Sequence, residues 1–307
     1  MLNFLVWLGV TSNGQILNFQ RFFEAIKQIL AFQIPFKRIG AALLAAAELF
    51  FSGCFKTPIT PCGEAPDLTG YSLVFEDDFD GTELNSDVWY NRCEGTRRTG
   101  YNADSQATVK DGNLILTGEY RENGKFGAGW YTGMVDLKEN YNKGYFEIRC
   151  KCNEDNGFWS AFWIQALGDP YDHYYSDGGI EAVEIDIFES MSSQSLLTGD
   201  DMVQTNIHCN GYDNIVDKID SQRVGLFRVG DIHEYNTYAL KWTDDEYIFY
   251  INGVEAGRSS FAKGVCINPE EVIISLEIPD ELPESITSNK DYKTSMVVDY
   301  IKIYQMS

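Results

Sequence analysis

The feature that most constrains the fold is a succession of short, strand-like runs separated by turn signals. From Tyr71 onward, apolar and polar residues alternate in runs such as Gly144 to Lys151, Phe158 to Gln165 and Tyr235 to Trp242. Alternation with a period of two is typical of strands that bury one face. Beyond residue 60, no window of useful length shows a helical period. The sequence therefore predicts an all-β domain in which two antiparallel sheets stack as a sandwich.

Two hairpins can be assigned from their turns. Ala107 to Val109 and Leu114 to Thr117 flank an Asp-Gly pair, while Tyr247 to Ile251 and Val254 to Arg258 flank an Asn-Gly pair. Both pairs favour the positive φ angles of tight hairpin turns. Further strands are expected near the two ends of the domain, at Ser72 to Glu76, Val272 to Ile278 and Met296 to Tyr304.

The stretch Glu184-Ile-Asp-Ile-Phe-Glu189 carries three carboxylates on a strand-like segment. Glu184 and Asp186 share one face of an extended strand, whereas the odd step to Glu189 would place that residue on the other. One extra residue at a β-bulge near Ile187 or Phe188 restores the common face. Crowding raises the pKa of at least one carboxyl, which leaves an acid beside an ionised neighbour, as glycoside hydrolysis requires. Taken alone, the stretch also suits a solvated edge strand or a calcium-binding acidic face.

The acidic stretch resembles the Glu-x-Asp-x-x-Glu signature of glycoside hydrolase family 16, in the bulged form of laminarinase-like members. Further matches run in order to the C-terminus, at 74–81, 144–149, 159–163, 238–242, 247–253 and 298–304. The resemblance implies a β-sandwich jelly roll of the concanavalin A-like lectin/glucanase type, with a concave substrate groove, over residues 68–307. It also implies a retaining endo-β-glycanase with Glu184 as nucleophile, Glu189 as general acid and base, and Asp186 tuning both.

The formal charge of -22 bears on the substrate class. It argues against nucleic acid, whose phosphates are held by basic surfaces, and against sulfated or uronate glycans unless a local basic patch is present. We therefore expect a neutral polysaccharide. The resemblance favours β-1,3-glucan or mixed-linkage β-1,3-1,4-glucan, although Asp104 and Thr108 stand where laminarinase-like members often have Glu and Tyr. The alternatives are an endo-β-galactosidase acting on agar-like or mucin-type galactans, a non-catalytic carbohydrate-binding jelly roll, and a structural surface lipoprotein.

Several side chains near the acids are candidates for binding sugar. Trp159 and Trp163 share a strand parity and are expected to line the groove, with core packing as the alternative. Asn206 and His208 share a face of the following strand and are expected to contact the sugar. Trp242, in an apolar strand, is expected in the core.

Two segments without alternation, 91–105 and 167–180, are predicted to be loops beside the groove. Their aromatic, amide and charged groups suit sugar rings and hydroxyls. Self-packing of the tyrosines in the second loop is the alternative. The site residues expected from these loops are Arg97, Asn102 and Tyr175.

No cofactor is expected for catalysis, but the resemblance implies a structural calcium ion. Its ligands would be Glu76, the backbone carbonyl of Gly112, and Asp299. The seven cysteines are expected to be mostly free, buried thiols, with a disulfide framework as the alternative. The sequence lacks a Cys-x-x-Cys pair, so a structural zinc site is not expected.

Residues 1–54 differ in kind from the rest. Lys37 and Arg38 precede a mostly apolar run, 39–51, which ends at Ser52-Gly53-Cys54. This pattern predicts an export signal and resembles a bacterial lipoprotein signal, with Cys54 as the lipidated residue. It implies an extracellular or cell-surface protein held to the membrane by lipid; an ordinary buried or interfacial helix is the alternative. Residues 55–67 are proline-rich and predict a linker, and we expect a monomer.

Overall fold

The computed structural model of the protein describes residues 58–153, 157–165, 179–190, 201–209, 214–215, 218–219, 221–260 and 264–307. These residues form strands almost throughout. The strands are β1 Tyr71–Asp77, β2 Trp89–Asn91, β3 Gly95–Arg97, β4 Gly100–Asn102, β5 Ala107–Val109, β6 Leu114–Gly124, β7 Gly127–Thr132, β8 Met134–Leu137, β9 Gly144–Lys151, β10 Trp159–Gln165, β11 Glu184–Glu189, β12 Asp201–His208, β13 Asn214–Ile215, β14 Lys218–Ile219, β15 Ser221–Gly230, β16 Asn236–Trp242, β17 Tyr247–Ile251, β18 Val254–Ser259, β19 Glu271–Glu277 and β20 Lys293–Met306. A single α-helical turn of this part of the chain, α1, spans Glu284–Thr287, and a 3-10 turn spans Asp104–Gln106.

The strands form two large sheets. Sheet A runs in the order β18-β17-β16-β9-β20-β6-β7-β4-β3, with β1 beside β20 and β5 beside β6, and sheet B runs β15-β12-β11-β10-β19-β8-β2. Strands β13 and β14 pair only with each other within the described residues. Among the described strands, the pairing is antiparallel except between β4 and β7, where Tyr101 faces Tyr131 in a parallel pair. The predicted all-β sandwich is confirmed, with this one parallel pair as an addition.

The core lies between the two sheets. Phe146 and Leu240 of sheet A and Phe162 and Ile185 of sheet B are fully buried in one apolar cluster. The ring of Phe188 in β11 stacks on that of Tyr238 in β16, with 3.9 Å between their centroids. Because side chains alternate along each strand, the residues of sheet B that lie between its core positions face away from sheet A. These residues form the outer face of sheet B.

Both predicted hairpin turns are confirmed. Asp111 and Gly112 have φ angles of 54° and 71°, and Asn252 and Gly253 have angles of 50° and 73°. Positive φ at both central residues is the geometry that the Asp-Gly and Asn-Gly pairs predict. Trp242 is fully buried, as expected.

The segment 91–105 was expected to be a loop, and this expectation is wrong. It contains β3 and β4, which pair antiparallel with Thr96 opposite Tyr101. Each strand has only three residues, too few to show an alternating pattern. Pairing with β7 orders β4, and this contact is not local in sequence.

Part of the predicted linker is bound to the domain. The backbone N–H of Ile59 donates to Leu226 O at 2.8 Å, and that of Arg228 donates to Ile59 O at 2.9 Å. The N–H of Glu255 donates to Glu64 O at 3.0 Å. Residues 59–64 are therefore attached to β15 and β18. The expected export signal and Cys54 lie outside the described residues, and none of the helices described has the length and hydropathy needed to cross a membrane.

Candidate active site

A β-bulge in β11 brings the three acids to the outer face of sheet B. Asp186 faces Asn206 of β12, and Glu189 faces Gln204, so two residues of β11 stand opposite Thr205 alone. The register with β10 is interrupted at the same place, since Phe188 faces Phe162 and Asp186 faces Trp163. The extra residue restores the parity of Glu189. The bulge lies at the predicted position.

Three N–H donors hold the carboxylate of half-buried Glu189. The indole Nε1 of Trp159 lies 3.0 Å from its Oε1. The amides of Gln204 and Asn206 donate to its Oε2 at 2.8 and 2.7 Å. Burial raises the pKa of Glu189 above its ordinary value, against the opposing effect of the Gln204 and Trp159 hydrogen bonds. Glu189 is therefore fixed in orientation and biased towards the protonated form.

Asp186 lies between the two glutamates and contacts His208. Its Oδ2 is 3.2 Å from His208 Nε2, and a carboxylate oxygen of Glu184 lies within 4.8 Å of both groups. Burial and the charge of Glu189 raise the pKa of Asp186 to about 8. Burial alone would lower the pKa of His208, but its hydrogen bond to Asp186 and the nearby carboxylates raise it. The cluster thus retains protons near neutral pH, which limits its negative charge.

Glu184 is nearly buried, with 6% of its surface exposed. Its Oε2 accepts a hydrogen bond of 2.7 Å from Gln165 Nε2. Gln165 is the direct neighbour of Glu184 across the β10–β11 pair. A cross-strand amide therefore fixes one oxygen of this carboxylate.

An apolar strip lies beside the acids. Met134, Ala161, Trp163 and Ile273 form a buried cluster separate from the main core, and Trp159 packs against it. Trp163 is 9% exposed, and its Nε1 donates to Ser275 Oγ at 3.1 Å. Both tryptophans therefore lie on the outer face of sheet B, and Trp159 contacts the acidic cluster directly.

Two arginines meet one carboxylate at this end of the sheet. Arg97 Nη2 lies 2.9 Å from Glu277 Oε2, and Arg98 Nη1 contacts the same oxygen. Burial would raise the pKa of Glu277, but the two guanidinium groups outweigh it and hold the pKa below its ordinary value. Arg98 also stacks on Trp159, with its Cζ 4.9 Å from the ring centroid. Two guanidinium groups thus share the Glu277 carboxylate.

One residue expected to bind sugar on an exposed loop is instead buried. Asn102 is 2% exposed, and its Oδ1 accepts a hydrogen bond of 2.7 Å from Thr132 Oγ1. Asn102 lies opposite Thr132 in the pair of β4 with β7, so its side chain is held in a sheet rather than exposed on a loop. Tyr175 lies outside the described residues.

The three residues expected to bind calcium do not favour a cation in this arrangement. Glu76 Oε1 lies 2.9 Å from Lys302 Nζ, and Asp299 forms an ion pair with Arg149. Gly112 lies in the tight turn between β5 and β6. A calcium ion needs several oxygen ligands that are free of competing cations. Outside the acidic cluster, Asp201, Asp231 and His233 place ligand atoms within 4.8 Å of one another.

Three polar residues of the site were missed by the sequence reasoning. Gln165 shares the parity of Trp159 and Trp163, and Gln204 shares that of Asn206 and His208, so strand alternation alone could have identified both. Arg92, which contacts Gln165, lacks such a signal because its partners are distant in sequence. Among the described cysteines, Cys150, Cys152, Cys209 and Cys266 are buried, and Cys62 and Cys93 are exposed.

Comparison with solved structures places the fold among known glucanases. SCLam, a non-specific endo-beta-1,3(4)-glucanase from family GH16, superposes with a TM-score of 0.63 at 20% identity, covering 82% of this chain and 98% of that one. The laminarinase catalytic domain from Thermotoga maritima MSB8 gives a TM-score of 0.59 at 19% identity, covering 76% and 98%. These similarities confirm the jelly-roll prediction.

The chain spans only part of the length of the curated relatives that it matches. Keratan-sulfate endo-1,4-beta-galactosidase of Sphingobacterium multivorum is 22% identical over 250 residues, 78% of this chain and 56% of that protein. Glucan endo-1,3-beta-glucosidase A1 of Niallia circulans is also 22% identical, over 282 residues, and the match covers 78% of this chain but 39% of the relative.

The family model described as "Beta-porphyranase A-D, GH16 domain" matches residues 73–306, a range that includes the acidic strand and both sheets. The chain therefore belongs to glycoside hydrolase family 16, as the acidic signature predicted.

Proposed function

We propose that this chain is a retaining endo-β-glycanase that uses Glu184 as nucleophile and Glu189 as general acid and base. The observation that carries the proposal is the bulge of β11. It presents Glu184, Asp186 and Glu189 on one face, although Glu189 lies an odd number of residues from the other two. Two carboxyl groups with divided roles are what glycoside hydrolysis requires. Retention of configuration is general to the family.

The contacts of each acid suit its proposed role. Glu184 attacks the anomeric carbon while Glu189 transfers its proton to the glycosidic oxygen, and the bond between that carbon and oxygen breaks. Water then attacks the same carbon and gives a proton to Glu189, which releases Glu184. The raised pKa of Glu189 keeps the proton available for the first step. Protonation of Asp186 limits repulsion within the cluster when substrate is absent.

A β-linked galactan of the agar, porphyran or keratan type is the substrate class that we favour. The matched family model is that of β-porphyranases, and one relative is named as acting on keratan sulfate. Sulfated sugars require positive charge near the cleavage point. Arg97 and Arg98 supply it beside Trp159, and both pair with Glu277. This local basic patch offsets the general acidity of the chain.

A β-1,3-glucan or mixed-linkage glucan is the second candidate. Similar solved structures are titled as glucanases or laminarinases. Trp159, the partly exposed residue packed against the buried apolar strip, offers an aromatic ring for contact with uncharged sugars. Sequence analysis favoured this class, and it stays a prediction.

A glycan panel tests the proposal. Purified protein is incubated with laminarin, lichenan, agarose, porphyran, keratan sulfate and mucin O-glycans, and the products are identified by mass spectrometry. We expect internal cleavage of a galactan, seen as a ladder of oligosaccharides. Cleavage of laminarin or lichenan alone would select the glucan candidate. Binding without cleavage of any of these glycans would contradict an enzymatic function.

The N-terminal pattern supports a further proposal, that the protein is exported and lipidated at Cys54. It rests on the sequence 37–54 alone. Expression of the full chain with a radiolabelled fatty acid in a Gram-negative host tests it. Label is expected in the wild type and absent in Cys54→Ala. Equal labelling of both proteins would contradict lipidation at this residue.

A further inference from the structure

A line of polar side chains leads from Glu184 across sheet B. Gln165 Nε2 donates to Glu184 Oε2 at 2.7 Å, and Gln165 Oε1 accepts from Arg92 Nη2 at 2.7 Å. Arg92 Nη1 in turn lies 2.6 Å from Asp136 Oδ2 and contacts Glu271 Oε2. The backbone pairing places Gln165 directly between Glu184 and Glu271. The line therefore follows the strand order β11, β10, β19 and β8.

The chemistry of these groups fixes the orientation of the Gln165 amide. A guanidinium offers donors only, so the amide group facing Arg92 must be its oxygen. The NH2 group of Gln165 is then directed at Glu184, which must accept. Arg92 thus determines which end of Gln165 meets the carboxylate. A reversed amide would place its NH2 group against the donors of Arg92 and its oxygen against an oxygen of Glu184.

Arg92 is itself firmly held. It is 8% exposed, and its Cζ lies 5.6 Å from the ring centroid of Trp163. Asp136 is fully buried and also accepts a hydrogen bond of 2.6 Å from the hydroxyl of Tyr90. A guanidinium with two carboxylates, an amide and an aromatic face around it offers little access to substrate. Its contact with Gln165 therefore gives it a route to the reaction that does not require touching the sugar.

We propose that Gln165 and Arg92 are positioning residues that hold the Glu184 carboxylate in the orientation needed for attack on the anomeric carbon. Gln165 contacts the carboxylate, and Arg92 acts through Gln165. The inference rests on the proposed function, because it assigns a role relative to the nucleophile. It differs from the contacts of Glu189, whose donors Trp159, Gln204 and Asn206 belong to a separate set.

A covalent labelling experiment isolates the step in question. A 2-deoxy-2-fluoro glycoside with a leaving group that needs no protonation, built on the sugar of the cleaved glycan, reacts with the nucleophile and leaves a stable glycosyl-enzyme. Mass spectrometry gives the rate of labelling and shows whether Glu184 is the labelled residue. Because the leaving group departs unaided, the rate reports the nucleophile and not the general acid.

Gln165→Met keeps the volume of the side chain but removes both amide contacts. We expect it to slow labelling at least about tenfold, the loss expected for one hydrogen bond to a charged group. Turnover of the glycan should fall in kcat more than it rises in KM. The matched control is Gln204→Met, which removes a comparable amide contact from Glu189. It should lower turnover of the natural glycan without slowing the labelling reaction.

Arg92→Lys decides the case should Gln165→Met fail to fold, since it keeps the charge but cannot contact Gln165 and two carboxylates in the same geometry. It should also slow labelling, and the double variant should be no slower than the slower single variant. Labelling at the wild-type rate in a folded variant of either residue, or additive slowing in the double variant, would overturn the inference. Failure of the wild type to cleave any glycan or take up label would instead contradict the proposed function.

Discussion

The indole Nε1 of Trp159 lies 3.0 Å from Oε1 of Glu189, whereas that of Trp163 donates to Ser275 on the neighbouring strand. Two tryptophans on the same face of β10 thus serve different partners. Trp159 contacts the proposed proton donor, and Trp163 belongs to the apolar strip. This difference separates an effect on proton transfer from a general effect of losing an indole.

Trp159→Phe is expected to move the alkaline limb of the pH–activity profile to higher pH. The hydrogen bond from Trp159 lowers the pKa of Glu189, so its removal raises that pKa. Because Glu189 must be protonated for the first step, activity should persist to a pH higher by up to about one unit. Measurement of kcat/KM against pH checks the shift. Trp163→Phe is the control, and an equal shift in both variants would contradict the assignment.

Variants of the acids should differ in how azide affects them. Glu184→Ala and Glu189→Ala should each abolish turnover of the glycan, while Asp186→Asn should lose less. With an activated β-glycoside, azide should restore activity to both alanine variants. The product from Glu184→Ala should be an α-glycosyl azide, because azide replaces the nucleophile, and that from Glu189→Ala should be a β-glycosyl azide. Full activity of Glu184→Ala without azide would contradict the nucleophile assignment.

The fold was largely predictable because its signals are local. The turn pairs at 111–112 and 252–253, the alternation of β9 and the parity of Glu184 and Asp186 can all be seen in short windows. Contacts that join distant segments could not be predicted. The Arg98–Glu277 pair joins residues 179 positions apart, and the hydrogen bond from Thr132 to Asn102 joins residues 30 positions apart. Neither interaction leaves a pattern in the nearby sequence.

Glu270→Gln should make the protein more stable at alkaline pH. Glu270 accepts a hydrogen bond of 3.0 Å from the N–H of Val183, next to the catalytic strand, and burial raises its pKa from 4.5 to about 8. The folded state therefore keeps a proton that the unfolded state loses. The free energy of unfolding should therefore fall as the pH rises from 4.5 to about 8, by up to about 1.4 kcal/mol per pH unit.

Glutamine retains the acceptor for Val183 but cannot ionise, so the free energy of unfolding should fall less steeply with pH in the variant. Urea unfolding at several pH values between 5 and 9 measures this slope, with ~pH 4 as the reference where the two proteins should be most alike. The exposed carboxylate of Asp111 provides a control, since Asp111→Asn should leave the slope unchanged. Parallel curves for the wild type and Glu270→Gln would contradict the raised pKa.

Removal of calcium should have little effect on stability. Glu76 and Asp299 are each paired with a basic side chain, so a cation there would have to displace Lys302 and Arg149. We expect melting temperatures in EDTA and in millimolar calcium to agree within about 1 °C. A bound ion would instead stabilise the folded state by about 2.7 kcal/mol at 100 times its dissociation constant. Such an increase, abolished by Asp299→Asn, would establish the site expected from the sequence.

Arg98→Ala should distinguish charged from neutral substrates. If a sulfated galactan is the substrate, loss of the guanidinium should raise KM for it at least about tenfold and affect an unsulfated analogue much less. The control is Arg258→Ala, because Arg258 lies on β18 of sheet A and pairs with Glu255 of the same strand and with Glu246, which precedes β17. Equal effects of Arg98→Ala on both glycans would favour a structural role through Glu277.

The bulge at Ile187 adds one residue to β11 without shifting Glu189 along the neighbouring strands. Deletion of Ile187 would give Glu-Ile-Asp-Phe-Glu, in which all three acids keep a common face on a regular strand. The additional residue is taken up between Asp186 and Glu189, while the three acids stay at two-residue intervals along both neighbouring strands. The strand can therefore gain or lose this residue without a change in the ladders on either side or in the sandwich beneath them.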